Sequence, residues 1–259
     1  MKSIHTFLFI VMLAFTIGAI GCGKKEEAKE TSATTAQSSA VDPATAATVT
    51  GKISFEGKAP ERTPVKMNAD AVCAQQHTTP VMAENVIVNA NNTLKNVFIY
   101  VKKGLEGKKF DVPVEAVSIT QEGCMYRPHV FGMMATQPLK IINADPTLHN
   151  IHAMPTINSQ FNIGQPVKGM ETEKTFDKPE VMVHFKCDVH PWMSAYVGVL
   201  EHPYYSVSGD DGTFSLKNLP PGTYTIEAWH EQLGTQTQEV TVAAKESKEL
   251  TFTFKSAAM

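Results

Sequence analysis

The stretch FKCDVHPWM, residues 185 to 193, spaces a thiol, an imidazole and a thioether at three-residue intervals: Cys187, His190 and Met193. A tight turn of this kind can wrap three donors around one ion. Upstream, KIINADPTLHNIHAM (residues 140 to 154) offers two more imidazoles, His149 and His152. Two imidazoles and a thiolate near one plane, with a weak axial thioether, are acceptable to both Cu(I) and Cu(II) and so suit one-electron exchange. With three donors on one loop, the fourth must come from a neighbouring strand, so that folding rather than the metal fixes the geometry. His149, at the end of a strand through Ile141 and Ile142, is placed to supply it.

Other uses of these residues fit less well. A single buried Cys or Met in a strand is ordinarily core, but joined spacing after an alternating strand is not. A binuclear copper centre needs a second cysteine in the loop, and copper catalysis needs further histidines for an open position. His184 projects from the strand face opposite Cys187, and His202 lies beyond the loop and its strand. No general acid–base pair, nucleophile–base pair or phosphate loop stands out, so the expectation is a protein that is not an enzyme. A formal net charge of −3 excludes a strongly basic nucleic-acid binder.

The elements that must position the donors read as strands. From about residue 48 onward, short alternating runs recur between turn signals, and no stretch carries a useful helical period. TVTGKISFEGK places Val49, Ile53 and Phe55 on one face, and TLKNVFIYVKKG is a buried strand ending at Gly104. QPLKIINADP ends in an Asp-Pro turn, and EVMVHFKC puts Val181, Val183, Phe185 and Cys187 on one face. In SGDDGTFSLKNLPPGTYTIEAWH, Asp211-Gly212 predicts a hairpin turn and Pro220-Pro221-Gly222 the next. Phe214, Leu216, Tyr224 and Ile226 alternate inward there. The fold class is all-β, built as sandwiches of short strands.

The N-terminus stands apart. Lys2 precedes the apolar run FLFIVMLAFTIGAI (residues 7 to 20), which reads as an export signal and is short for a spanning helix. The residues AIGC resemble a bacterial lipobox, which implies lipidation of Cys22 and a signal peptide over 1–21; plain secretion and an uncleaved anchor are the alternatives. GKKEEAKETSATTAQSSA has almost no apolar bulk and reads as a tether, drawn over 22–47. With Cys22 lipidated and Cys187 on metal, Cys73 and Cys124 remain as a pair in an oxidising compartment. A bridge closing a loop of about fifty residues stabilises by roughly 4 kcal/mol in the chain-entropy model. The alternative is a second metal site of those cysteines with His77 and His129. His230 is expected at the surface, and Met133, Met134 and Met154 in core packing rather than as soft donors.

NADPTLHNIH followed by FDKPEVMVHFKCDVHPWMSAYVGVL resembles the cupredoxins, and the C-x-x-H-x-x-M spacing is that of the amicyanins. The resemblance covers residues 117 to 200. It implies a Greek-key β-sandwich and one type 1 (blue) copper on His149, Cys187, His190 and Met193. It further implies that Asn150 ties the histidine strand to the cysteine loop, that His152 is not a ligand, and that His190 presents its ring edge at the surface as the electron port. Pro191 and Trp192 would then form an apolar docking patch, although Trp192 fits equally as a core residue over the copper. MPTINSQFNIGQPVKGMETEK, between the two motifs, has no residue-by-residue counterpart.

SGDDGTFSLKNLPPGTYTIEAWH (residues 208 to 230) resembles the carboxypeptidase regulatory-like domain, a small transthyretin-like or Ig-like β-sandwich. The opening strand of that family is similar to VTGKISFEGKAP, which here lies far upstream. The expected layout is a divided sandwich, residues 48–105 and 201–257, with the metal domain inserted as 106–200; two domains in series is the alternative. The expected function is an exported, lipid-anchored blue copper protein in the periplasm or at the cell surface, outer membrane favoured. It would exchange electrons with a c-type cytochrome or a periplasmic oxidoreductase. A copper-delivery protein, and a surface binding module with structural copper, are the competing readings.

Overall fold

The structure is a computed structural model that describes residues 41–256. The apolar run, Cys22 and the tether up to residue 40 lie outside the described residues. Strand β1 (Ala47–Glu56), the short helix α1 (Ala71–Gln75) and β2 (Phe98–Lys103) come first. Then follow β3 (Val117–Glu122), β4 (Met125–Arg127), β5 (Val130–Met134), β6 (Leu139–Asn143) and β7 (His149–Met154). Next are β8 (Phe161–Gln165), β9 (Glu171–Lys174), β10 (Glu180–Lys186) and β11 (Ser194–Leu200). The last five are β12 (Tyr205–Val207), β13 (Thr213–Leu219), β14 (Gly222–His230), β15 (Gly234–Val242) and β16 (Ser247–Lys255). Among the described residues no helix is long and apolar enough to cross a membrane.

One sandwich combines strands from both ends of the described chain. Its sheets run β13-β1-β16 and β12-β2-β14-β15. In β1 the alternation of Ala47, Val49, Ile53 and Phe55 with polar residues buries one face, against Leu216, Ile226, Phe252 and Phe254. Val41 already packs on this core. The strands between β2 and β12 build a second sandwich, with sheets β5-β11-β10-β7-β8 and β4-β3-β6-β9. Its core holds Tyr126, Phe131, Phe176, Phe185 and Val197.

The two sandwiches meet on a glycine pair. Gly132 on β5 and Gly198 on β11 are register partners in adjacent strands. A Cβ on Gly198 would overlap the Phe98 ring, and one on Gly132 the Tyr205 ring. The missing side chains therefore let two aromatic rings from β2 and β12 lie flat on the second sandwich, with Phe98 and Tyr205 stacked at 5.6 Å.

Several local expectations are corrected. The Asp211-Gly212 turn is not a hairpin: β12 and β13 belong to different sheets, so the turn carries the chain across the sandwich. Asp211 fixes it by accepting the Thr213 N–H at 2.9 Å, and Gly212 supplies a φ of 69°. Pro220-Pro221-Gly222 likewise connects β13 to β14 across the two sheets. Val181 does not share the inward face of Val183 and Phe185, because a bulge at Met182, with φ 62°, shifts the register. Val181 turns outward while Glu180 turns in, its carboxylate accepting N–H groups of Ile157 and Asn158 at 3.1 and 3.0 Å.

His230 is buried rather than exposed, its Nδ1 accepting the N–H groups of Gln232 and Leu233. Met133 and Met134 are core, but Met154, at the end of β7, is exposed. Helix α1 escaped the periodicity reading because five residues cannot display a period. It forms because Asp70 caps it, Oδ1 accepting the N–H groups of Val72 and Cys73 at 2.8 and 3.1 Å.

Candidate metal centre

The second sandwich brings the donors together at one end. Strand β10 pairs antiparallel with β7, Lys186 opposite His152 and Phe185 opposite Ala153. Cys187, just past β10, therefore lies beside the start of β7, where His149 and Asn150 sit. The loop from Cys187 to β11 closes on itself: the Cys187 N–H donates to the Met193 carbonyl at 3.3 Å and the Met193 N–H to the His190 carbonyl at 2.9 Å. The His190 N–H points at Cys187 Sγ, 3.4 Å away.

His149, Cys187, His190 and Met193 are all essentially inaccessible to solvent. His149 Nδ1 and His190 Nδ1 face each other at 2.9 Å, and Cys187 Sγ is 3.8 Å from His190 Nδ1. Met193 packs in the same core cluster as Cys187. Asn150 binds the two halves: its Oδ1 accepts the N–H groups of Asp188 and Val189 at 2.8 and 3.3 Å and lies 3.2 Å from Cys187 Sγ. Its Nδ2 donates to Asn162 and Asp188.

Two carboxylates set the tautomers. Asp145 Oδ2 accepts from His149 Nε2 at 2.9 Å, and Asp70 Oδ2 from His190 Nε2 at 3.1 Å. A carboxylate can only accept, so each neutral ring carries its proton on Nε2 and turns a bare lone pair inward from Nδ1. Two lone pairs at 2.9 Å in a dry site repel unless something positive lies between them. A thiolate beside them strengthens the demand. The donor set, two imidazoles and a thiolate with a thioether close by, fits copper, and the two carboxylates are the outer partners that metal-bound imidazoles ordinarily have.

The same contacts shift the ionisation of these groups in the copper-free protein. Burial alone would raise the Cys187 thiol, but His149 and the backbone N–H groups of Asn150, Val189 and His190 hold it below its ordinary value. Burial alone would lower His149, yet the Asp145 carboxylate and Cys187 hold it above. Burial would likewise raise Asp145, and the His149 ring with the Cys124 and Gly123 N–H groups keeps it low.

The surface expected at His190 is absent. Between β1 and β2 the chain leaves the first sandwich and folds over the metal loop. Val65 donates its N–H to the Val81 carbonyl at 2.8 Å, so that residues 64–82 form a cap containing α1. This stretch, expected within the first sandwich, instead seals the second. Cys73 on the cap is disulfide-bonded to Cys124 in the turn between β3 and β4. Its sulfur is 3.5 Å from His190 Nε2. The ring edge expected in solvent is thus covered by Asp70 and the disulfide.

Trp192, expected as part of a docking patch or as a copper cover, lies under the cap. Its indole N–H donates to the Cys124 carbonyl at 2.9 Å and its ring is 5.1 Å from that of His190. Pro191 remains exposed. His152 faces away from the donors, toward Asp188. His77 meets the Gly123 carbonyl, while His129 meets Glu231 and the Ser194 carbonyl, so neither joins the cysteine pair. His184 pairs with the Ser194 hydroxyl and His202 with the Val101 carbonyl.

Comparison with known proteins gives two kinds of likeness. Residues 191–255 match the family model of the carboxypeptidase regulatory-like domain. That match runs from β11 of the second sandwich through β12 to β16 of the first, whereas β1 and β2 of the first sandwich fall outside it. No curated protein matches the chain. Among solved structures, a purple cupredoxin from Nitrosopumilus maritimus is 20% identical, covering 32% of this chain and 98% of its own, with a TM-score of 0.28. A copper-containing nitrite reductase from Thermus scotoductus is also 20% identical, over 38% of this chain and 25% of its own, TM-score 0.30. A Cu(I) variant of amicyanin is 19% identical over 34% and 86%, TM-score 0.30.

Proposed function

We propose that this chain is an exported blue copper protein that carries single electrons, with one copper held by His149, Cys187, His190 and Met193. The observation that supports the reading best is the pair of carboxylate-fixed imidazoles whose Nδ1 atoms face each other beside the buried Cys187 sulfur. Bound copper would supply the Cu(I)/Cu(II) couple. The chain's own residues supply the rest. Asp145 and Asp70 hold the rings, Asn150 and the loop N–H groups hold the sulfur, and the cap excludes water. Such a preset site changes little between oxidation states.

The reading includes attachment to a membrane through a lipid on Cys22, with residues beyond it as a tether, and electron exchange with a c-type cytochrome or a periplasmic oxidoreductase. It has no substrate to transform. Copper as cargo for delivery fits less well, since the cap buries His190, the ligand an acceptor would approach.

The test is to express residues 24–259, add Cu(II), and record the visible spectrum with and without Cys187→Ser. An intense thiolate-to-copper band that the substitution abolishes is expected. A colourless protein that binds copper weakly would overturn the reading.

A further inference from the structure

The disulfide under the cap sits among other metal-binding side chains that the Cys187 centre does not use. Met67, Cys73, Cys124 and Met125 are the buried members of one small cluster, against which Val65, Val81 and Trp192 pack. Four sulfur-bearing side chains thus meet in one place. On one side of them stand two carboxylates and the outer edges of two imidazoles. Asp70, Cys73 and His190 each bring a donor atom within 4.8 Å of the others, and Cys124, Asp145 and His149 do the same.

Hydrogen bonds also hold each cysteine's segment in place beside the covalent bond. Cys73 is held in α1 by its N–H on Asp70. Cys124 donates its own N–H to Asp145 Oδ2 at 2.7 Å, and the preceding Gly123 donates to Oδ1. His77 on the cap pairs with the Gly123 carbonyl at 2.8 Å, so cap and turn stay fastened beside the disulfide.

We propose that reduction of the Cys73–Cys124 disulfide opens a second metal site, taking one Cu(I) ion on the two thiolates with the thioethers of Met67 and Met125 at hand. Thiolate and thioether are soft donors and select Cu(I) over harder cations. Asp70 and Asp145 add negative charge that favours a cation there. In the reducing step a dithiol gives up two electrons and two protons and becomes a disulfide. Cys73 and Cys124 take them and become two thiols. Binding then replaces the two thiol protons with two Cu–S bonds, and copper keeps its oxidation state.

This site borders the one on Cys187 through Asp70 and Asp145 but uses none of its sulfur donors, and the experiment separates them. Wild type and Cys187→Ser are titrated anaerobically with Cu(I) against a chromophoric chelator, before and after reduction with a phosphine. Reduction is expected to add one tightly bound Cu(I) per chain in both proteins. Cys124→Ser, which leaves a single thiol, is expected to lose that increment, and Met67→Leu to weaken it. X-ray absorption of reduced, loaded Cys187→Ser should show sulfur neighbours around copper. No increment in either protein, an increment that survives in Cys124→Ser, or copper with only nitrogen and oxygen neighbours would overturn the proposal. Failure of the Cys187 centre would instead remove copper from the oxidised protein and leave the increment in place.

Discussion

The carboxylate of Asp70 accepts a hydrogen bond from His190 Nε2 at 3.1 Å across 120 residues of sequence. It joins a segment inserted in one sandwich to a metal-loop histidine of the other. His190 itself holds the Asp70 carboxyl below its ordinary range, with the Cys73 N–H as the next cause. The ring is therefore neither free to rotate nor open to a docking protein.

Substituting Asp70→Asn removes the charge and keeps one of the two acceptor oxygens, which serves either the α1 cap or the His190 N–H. A unit charge on the far side of the His190 ring, at an effective dielectric near 20 and partly screened by solvent, is expected to favour Cu(II) by roughly 1–2 kcal/mol. Its loss is expected to raise the reduction potential by roughly 40–90 mV for one electron. Voltammetry of the loaded protein measures this directly. A potential unmoved by the substitution would mean that Asp70 only braces the cap.

Asn150→Ala removes the acceptor shared by the Asp188 and Val189 N–H groups. Two part-buried donors at the start of the metal loop lose their partner, at about 1–2 kcal/mol. Denaturant unfolding of the copper-free protein is expected to show that loss, and copper is expected to leave the loaded protein faster. Unchanged unfolding would place the loop's stability in its own Cys187–Met193 closure.

Gly198→Ala drives a methyl group into the Phe98 ring at the junction of the sandwiches. Overpacking of this kind is expected to destabilise by about 1–3 kcal/mol. Adding Phe98→Leu, which frees volume opposite, should recover part of it. A double variant no more stable than the sum of the singles would show that strain in β11, rather than the ring, is responsible.

The strands and the metal loop were legible because they follow local rules. Alternation marks β1, β10 and β14, and C-x-x-H-x-x-M lies within one turn. What escaped was set by distant pairing. Asp70 and Asp145 are polar residues in loops, and no local pattern tells that each will meet an imidazole edge. The cap was hidden because residues 64–82 have no period, and their place depends on the disulfide and on bonds of Asp70 and His77 to residues far along the chain. The burial of His190 follows from that cap, so a motif that groups Cys187, His190 and Met193 in one turn gave no sign of what covers it. Met67 and Met125 went unremarked for the same reason: nothing near either one points to the other.

Acid sensitivity should come from two histidines outside the metal loop. Burial holds His202 and His230 down to about 4 from an ordinary 6.5. Each neutral ring is already satisfied: His202 donates to the Val101 carbonyl and accepts the Tyr204 N–H, and His230 accepts two backbone N–H groups. Between pH 6.5 and 4 the unfolded chain therefore binds protons that the folded chain refuses, and stability rises with pH through that window. The contribution is complete above pH 6.5 and lost as pH falls toward 4, on the order of 2–3 kcal/mol for each ring. In the copper-free protein His149, held above its ordinary value, works in the opposite direction, so variants must be compared with wild type at each pH. Denaturant unfolding at pH 7 and 4.5 is expected to show a smaller drop in His230→Asn than in wild type, and a smaller drop again when His202→Asn is added. Equal drops in all three would assign the acid loss to the carboxylates instead, of which Glu180, held down to about 2, acts only in a lower window.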